Sequence, residues 1–395
     1  MIPYILFFSF LFIISLFNLI KIESFEKIEK LLFFIFWFVV VFFIGFRYKM
    51  ANDWYNYNNI IRGIEPFWDV LSGNATNFQG EKGIEYGFKI LISLINMVFN
   101  SETSSSLQAL TVIVSLFCYT VLFYVTWKEE TVTYKFLFLA TFISFTMFRE
   151  FDILRQSIAF YIFLLSIKYI NNSFFKYFLL NVLGSLFHVS ALIFIPLYFI
   201  FKIKFSRVFI LVLFGLHLIT MITHFSFVTT ILERLSNYFP ELIFAQKLYL
   251  NSTTVEAQSS ISIVGLLYAI YLLLLSANYE KIDFNNYKMR FFINSFFIFI
   301  IINIFFSDSK DIADRFSYYF YFGVAFVFVY LIKFIPKALY FPYVLLILIF
   351  PTIRFSRIIS NPMTKSVLVP YRNYFFVTPS DEDNLLIKWK EKNEE

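Results

Sequence analysis

Residues 291–306 read Phe-Phe-Ile-Asn-Ser-Phe-Phe-Ile-Phe-Ile-Ile-Ile-Asn-Ile-Phe-Phe. The run has no charge, and its apolar residues do not alternate with the period of two that a strand of a membrane barrel would show. In lipid every backbone N–H and C=O must pair internally, so an unbroken apolar run of this kind is a helix. Runs of roughly 15–22 such residues recur from one end of the chain to the other, and about 20 cross a hydrocarbon core of roughly 30 Å. The overall composition agrees: 59% of the 395 residues are hydrophobic and 60 are Phe, above the roughly half expected of a soluble domain. The predicted fold is all-α, a polytopic membrane protein of about 12 transmembrane helices.

The spans fall near 2–20, 31–46, 106–126, 134–149, 153–170, 174–187, 189–201, 207–227, 261–277, 289–306, 316–332 and 338–352. Met1–Ile20 lacks a basic leader and a small-residue cleavage site, so it is read as the first span and not as a signal peptide. The stretch 174–201 is too long for one straight span, and a tight pair of short helices turning at His188 is expected. Within the outer loop 47–105, Gly83–Phe99 is amphipathic at its start and apolar at its end, which suits a re-entrant or interfacial helix. No repeat or Pro/Gly-rich linker divides the chain. Residues 1–353 are expected to form one transmembrane domain, with outer loops at about 47–105, 228–260 and 307–315, and 354–395 a polar tail carrying a short surface helix over Asp381–Glu395.

Short basic loops alternate with longer ones. Lys128 and Lys135, Lys168 and Lys176, Lys202, Lys204 and Arg207, and Lys333 and Lys337 all fall on one side, which the positive-inside rule makes cytoplasmic. The net charge of +6 is small and dispersed, with no basic stripe for nucleic acid. Cys118 is the single cysteine and there are three histidines, a set that supports neither a disulfide framework nor a structural zinc site.

Ionisable residues at the edges of spans are costly and mark functional sites. Four groups stand out, all on the outer side of this map. Arg47 and Asp53 flank an aromatic-rich turn in Gly45-Phe-Arg-Tyr-Lys-Met-Ala-Asn-Asp-Trp-Tyr-Asn-Tyr; aromatic rings beside hydrogen-bonding groups suit sugars, while an interfacial aromatic belt is the ordinary alternative. In Arg149-Glu-Phe-Asp-Ile-Leu-Arg-Gln, helical spacing puts Arg149, Asp152 and Gln156 on one face with Arg155 beside it. Two arginines there can clamp a phosphate bidentately; the alternative is a self-neutralised turn of Arg149 with Asp152 and Glu150 with Arg155. His188 stands at a break between apolar helices, where it can serve as base, acid or phosphate ligand, although a lone histidine on an apolar face is more often a satisfied core residue, and the same holds for His217 and His224. In Asp308-Ser-Lys-Asp-Ile-Ala-Asp-Arg-Phe-Ser-Tyr-Tyr, Asp311 and Arg315 are i,i+4, with Tyr319 one turn further. No Gly-rich phosphate loop, nucleophile elbow or metal-spaced carboxylate pair appears.

Taken together, Gly45-x-Arg47…Asp53-x-x-x-Tyr57, Glu85-x-Gly87, Arg155-Gln-x-x-Ala159, Phe187-His188-x-Ser190-Ala191 and Arg315-x-x-x-Tyr319 resemble the EpsG-like branch of the Wzy polysaccharide polymerases over roughly residues 40–325. The late Pro370-Tyr371 adds to the likeness. This chain has Ala51-Asn52-Asp53 where many relatives carry a glycine before the aspartate.

The resemblance implies a GT-C-like glycosyltransferase, multi-pass in the bacterial inner membrane with its active site on the periplasmic side. Such an enzyme joins oligosaccharide repeat units carried on undecaprenyl pyrophosphate into O-antigen or capsular polysaccharide, alongside a chain-length regulator protein. No metal and no cofactor are expected. On that reading Arg155, Arg315 and Arg149 bind pyrophosphate, and His188, Asp152 or Glu150 acts in catalysis. Arg47, Asp53, Tyr57, Glu85, Gln156, Asp311 and Tyr319 line the sugars. The alternatives are an O-antigen ligase, for which the 228–260 loop lacks a histidine, and a lipid-linked oligosaccharide flippase or transporter, which would place basic residues through mid-membrane.

Overall fold

The computed structural model describes residues 1–17, 25–73, 83–99, 104–223, 225, 227–236, 263–307, 310–360 and 362–377. Among these, regular structure is entirely helical, with one isolated backbone bridge between Arg47 and Asn373. His224, Asp308 and the tail helix expected over Asp381–Glu395 lie outside the described residues.

The helices follow the predicted runs closely. They are α1 (Ile2–Leu16), α2 (Phe25–Gly45), α3 (Trp54–Gly63), α4 (Phe67–Ser72), α5 (Tyr86–Val98), α6 (Ser104–Lys128), α7 (Lys135–Asp152), α8 (Leu154–Ser166), α9 (Phe174–Ser185), α10 (Phe194–Ile200), α11 (Arg207–Thr223), α12 (Phe227–Ser236), α13 (Ile263–Ala277), α14 (Tyr287–Phe305), α15 (Lys310–Ser317), α16 (Tyr321–Tyr330), α17 (Tyr340–Ser360) and α18 (Pro362–Leu368). Among the described residues, four segments are long and apolar enough to cross a membrane: Ile28–Gly45, Ser105–Lys128, Tyr287–Phe305 and Ile312–Phe334. Shorter apolar helices accompany them, among them Arg207–Thr223 and Ile263–Ala277. At about 1.5 Å per residue the 13-residue α5 falls short of a roughly 30 Å core.

The chain divides into two compact units. The first comprises 1–130, 134–198 and 351–395; the second comprises 131–133 and 199–350. In the first, α7 is the central helix: the run from Phe136 to Phe148 is buried without interruption, the mark of a helix packed on every side. Its hydroxyls are satisfied within the helix, with Thr141, Ser144 and Thr146 each donating to a carbonyl four residues back. Around it α1 stacks Phe7 on Phe43 of α2 at 4.1 Å, and Phe148 of α7 stacks on Phe355 at 4.9 Å. The stretch 174–201 is indeed two helical pieces. Ser173 caps α9 by accepting from the Lys176 amide, and a 3-10 turn over Val189–Ile193 leads into α10 after the bend at Phe187–His188.

In the second unit α14 and α16 form the core pair. Phe292 and Phe326 stack at 4.0 Å, and all ten residues of α16 are buried. The approach is close because Gly323 has no Cβ: one built there would meet the Phe296 nitrogen at 2.5 Å and the Phe292 carbonyl at 2.7 Å.

Candidate functional site

The α7–α8 segment, expected to carry Arg149, Asp152 and Gln156 on one helical face, is broken. Ile153 leaves the helix at φ −100°, ψ 50°, so α7 ends and α8 begins there and the shared face is lost. The physical reason is visible in the partners each charged residue takes. Asp152 accepts the backbone amides of Asn52 (2.6 Å) and Asp53 (3.1 Å) from the loop after α2. Glu150 is buried and accepts the hydroxyls of Tyr119 and of Tyr161 (2.9 Å). Arg155 pairs with Glu85 at 2.9 Å. The self-neutralised turn of Arg149 with Asp152 and Glu150 with Arg155 is therefore not what forms. Partners between 11 and 100 residues away, two phenols, two backbone amides and one carboxylate, replace the local ones, and local spacing could not reveal them.

Glu85 ties three segments together. One carboxylate oxygen takes the Arg155 guanidinium, and the other accepts the Val189 amide at 3.2 Å, just past His188. Two residues on, Gly87 donates its amide to the Leu186 carbonyl at 2.8 Å. A Cβ at Gly87 would stand 2.8 Å from that same oxygen, inside van der Waals contact. The Glu85-x-Gly87 pattern is thus a clasp that seats the start of α5 on the turn before His188. The two small-residue motifs meet beside it, since a Cβ on Gly184 would touch both the Ala159 carbonyl and the Ala191 side chain at 3.3 Å. His188 is fixed by its own turn: its Nδ1 accepts the Ser190 amide at 3.3 Å and lies 2.5 Å from the Ser190 hydroxyl.

Tyr57, buried on α3, brings its hydroxyl to the Arg155 backbone amide and packs edge-on against Phe88 at 6.0 Å between ring centres. Burial, more than any neighbouring charge, pushes that phenol up from its ordinary value. Asp152 is raised as well, first by burial and then by the Asp53 carboxylate. The Asn52 and Asp53 amides and the Arg149 charge oppose the shift without cancelling it. Gln156 is buried one turn into α8.

Arg47 follows α2 and is 3% exposed. Its guanidinium donates to the Ile44 carbonyl (2.5 Å) and the Phe151 carbonyl (3.2 Å) and lies over the Phe151 ring at 4.6 Å. The loop it opens is strained. Lys49 has φ +45° and Ala51 has φ +74°, the left-handed region that favours glycine, and Ala51 is buried. A strap from the C-terminal residues holds the loop in place. Tyr48 N–H donates to the Arg372 carbonyl, Ala51 N–H to the Val367 carbonyl and Tyr374 N–H to the Phe46 carbonyl. The Arg372 guanidinium donates to the Lys49 carbonyl at 3.1 Å and the Tyr371 hydroxyl to the Phe43 carbonyl at 2.6 Å. Of this strap the sequence signalled only Pro370-Tyr371; Arg372 and Asn373 were missed, because nothing in their spacing marks a partner more than 320 residues away.

The remaining predicted residues belong to the second unit. Arg315 is exposed at the end of α15 and Tyr319 is buried in the following turn, while the Asp311 side chain lies outside the described set. His217 donates from Nε2 to the Gly265 carbonyl at 3.0 Å and is a core histidine. Among the described residues no cluster of three or more His, Cys, Asp or Glu side chains is placed to hold a metal.

Fold and site together define a multi-pass helical membrane protein in which five sequence-distant motifs include four that meet in one unit. The chain belongs to the EpsG family, whose profile matches residues 30–373; that range contains every motif just described. Membership makes it a polysaccharide-polymerase-like protein at the level the family defines. No curated protein and no solved structure matches the chain.

Proposed function

We propose that the chain is a glycosyltransferase that joins undecaprenyl-pyrophosphate-linked oligosaccharide repeat units at the periplasmic face of the bacterial inner membrane. The observation that carries this reading is the junction at Glu85. It brings Arg155 and the His188 turn, the two most specific motif elements, onto one carboxylate.

The chemistry asks for three things. The anomeric C–O bond to pyrophosphate breaks, so the departing anion needs cations. The acceptor hydroxyl loses its proton as the new C–O bond forms, so a base must take that proton. Both sugars must be held. Arg155, aimed by Glu85, suits the donor pyrophosphate, with Arg149 as a further cation. His188 suits a hydrogen-bond donor better than a base. With Nδ1 accepting the Ser190 amide, the neutral ring carries its proton on Nε2. Glu150 has an oxygen committed to each of two tyrosines and is buried. Asp152, with its raised affinity for protons, is the carboxylate best suited to be the base. Asp53, Tyr57 and Gln156 are assigned to the sugars.

The test is polymer length. Purified protein is given only lipid-pyrophosphate-linked repeat units, with EDTA and no nucleotide. A ladder of repeat multiples is expected, with Asp152→Asn slowed by about 10²–10⁴-fold. Verified substrate and folded protein that yield no ladder would overturn the reading.

A further inference from the structure

We infer a binding site for an anionic phospholipid at the turn between α8 and α9, built on Lys168, Tyr169 and Lys176 and separate from the Glu85 junction. Two ammoniums converge there on one ring: the Lys168 Nζ stands 5.0 Å and the Lys176 Nζ 5.6 Å from the centre of Tyr169. The turn folds them together. The Asn172 and Ser173 amides both donate to the Tyr169 carbonyl, and the Ser173 hydroxyl accepts the Lys176 amide. Lys168, in the 3-10 turn that follows α8, and Lys176, in the first turn of α9, therefore meet on the ring between them. No Asp or Glu occurs from residue 153 to residue 232. Among the described residues neither ammonium has an ion pair, and both lysines are exposed. A ring attracts a cation but leaves its charge in place, so the turn presents two positive charges to a ligand.

What surrounds the lysines selects the ligand. Phe175 is 66% exposed, and Leu179 and Leu183 follow it at i+4 and i+8, also exposed. Residues at this spacing share one face of a helix, so an apolar stripe runs along α9 away from the two cations. Lysines and a tyrosine beside exposed aromatic side chains are the composition of a membrane interface. A free phosphate would engage the lysines alone. A phospholipid engages them with its phosphate and lays an acyl chain along the stripe, so the whole surface is used. The site also has a place in the fold. α8 carries Arg155 in its first turn and runs into Lys168 at its other end, so a headgroup held at Lys168 fixes the far end of the helix that bears Arg155.

The test titrates the full chain in mild detergent with phosphatidylglycerol, with phosphatidylcholine of the same acyl chains and with soluble glycerol 1-phosphate, counting bound ligand by native mass spectrometry. Saturable binding of phosphatidylglycerol is expected, at least about tenfold tighter than that of either other ligand. Changing Lys168→Gln and Lys176→Gln together should weaken it about tenfold or more, because each lysine near an anionic headgroup adds to the attraction. Changing both to Arg should keep it within about threefold. The pair Lys202→Gln and Lys204→Gln, in another basic loop, is the control and should also stay within about threefold. Thermal melts show that each variant folds. Unchanged affinity in the Lys168 and Lys176 glutamine pair, or an equal loss in the control pair, overturns the site. Phosphatidylcholine bound as tightly as phosphatidylglycerol removes the role of charge. Glycerol 1-phosphate bound as tightly as the lipid overturns the assignment to a phospholipid.

Discussion

Ala51 shows how a single side chain can work against its own backbone. Its φ of +74° places the Cβ against the following carbonyl, at a cost of about 1–2 kcal/mol for a non-glycine residue. Ala51→Gly should therefore raise stability by about 1 kcal/mol or less, because glycine also gains freedom in the unfolded chain; chemical denaturation in detergent measures the difference. Glu150 presents the opposite case, a buried carboxylate whose cost is met by two phenols. Tyr161→Phe removes one donor from a buried charge and should destabilise by about 2–3 kcal/mol. At Asp152 the consequence lies in pH. Burial and the Asp53 carboxylate hold its carboxyl above the usual range, so on acidification it takes up its proton early and loses its capacity as a base. The acid limb of the polymer-forming rate should accordingly lie above the ordinary aspartate value of about 3.9. Asp53→Asn, which removes the like charge, should shift that limb to lower pH in a rate–pH profile.

Among the helices, the clasp of α5 on the His188 turn makes Gly87 irreplaceable for a reason that is steric. Gly87→Ala forces a Cβ onto the Leu186 carbonyl and should cost about 1–3 kcal/mol while lowering polymer yield with membrane insertion retained; immunoblots of membranes and ladder gels report the two separately. The helices themselves were readable in the sequence because an apolar run in lipid has only one way to satisfy its backbone, as at α6 and α14. The break at Ile153 was not readable. An uninterrupted helix would have set Arg149 beside Asp152, and only the arrival of Asn52, Tyr119 and Glu85 from elsewhere makes separate partners the better arrangement. Likewise the aromatic turn at Arg47 was legible as a polar site, whereas the strap that closes it was not, since Arg372 and Asn373 carry no local pattern that points back to residue 47.

For the molecule as a whole, each of the two compact units has its own close backbone approach at a glycine. Gly87 belongs to the first and Gly323 to the second, and each sits where a Cβ would strike backbone. Gly323→Ala should destabilise by about 1–3 kcal/mol, as read by chemical denaturation in detergent.

The strap has a bearing on how the protein comes into being. Arg47 leaves the ribosome long before the residues that pin its loop, from Val367 to Tyr374, are made. Every other contact of the Glu85 junction can form once residue 189 has emerged. The loop at Arg47 cannot take its final shape until Tyr374 has emerged, so the nascent chain inserts the helices in between while that loop is still unpinned.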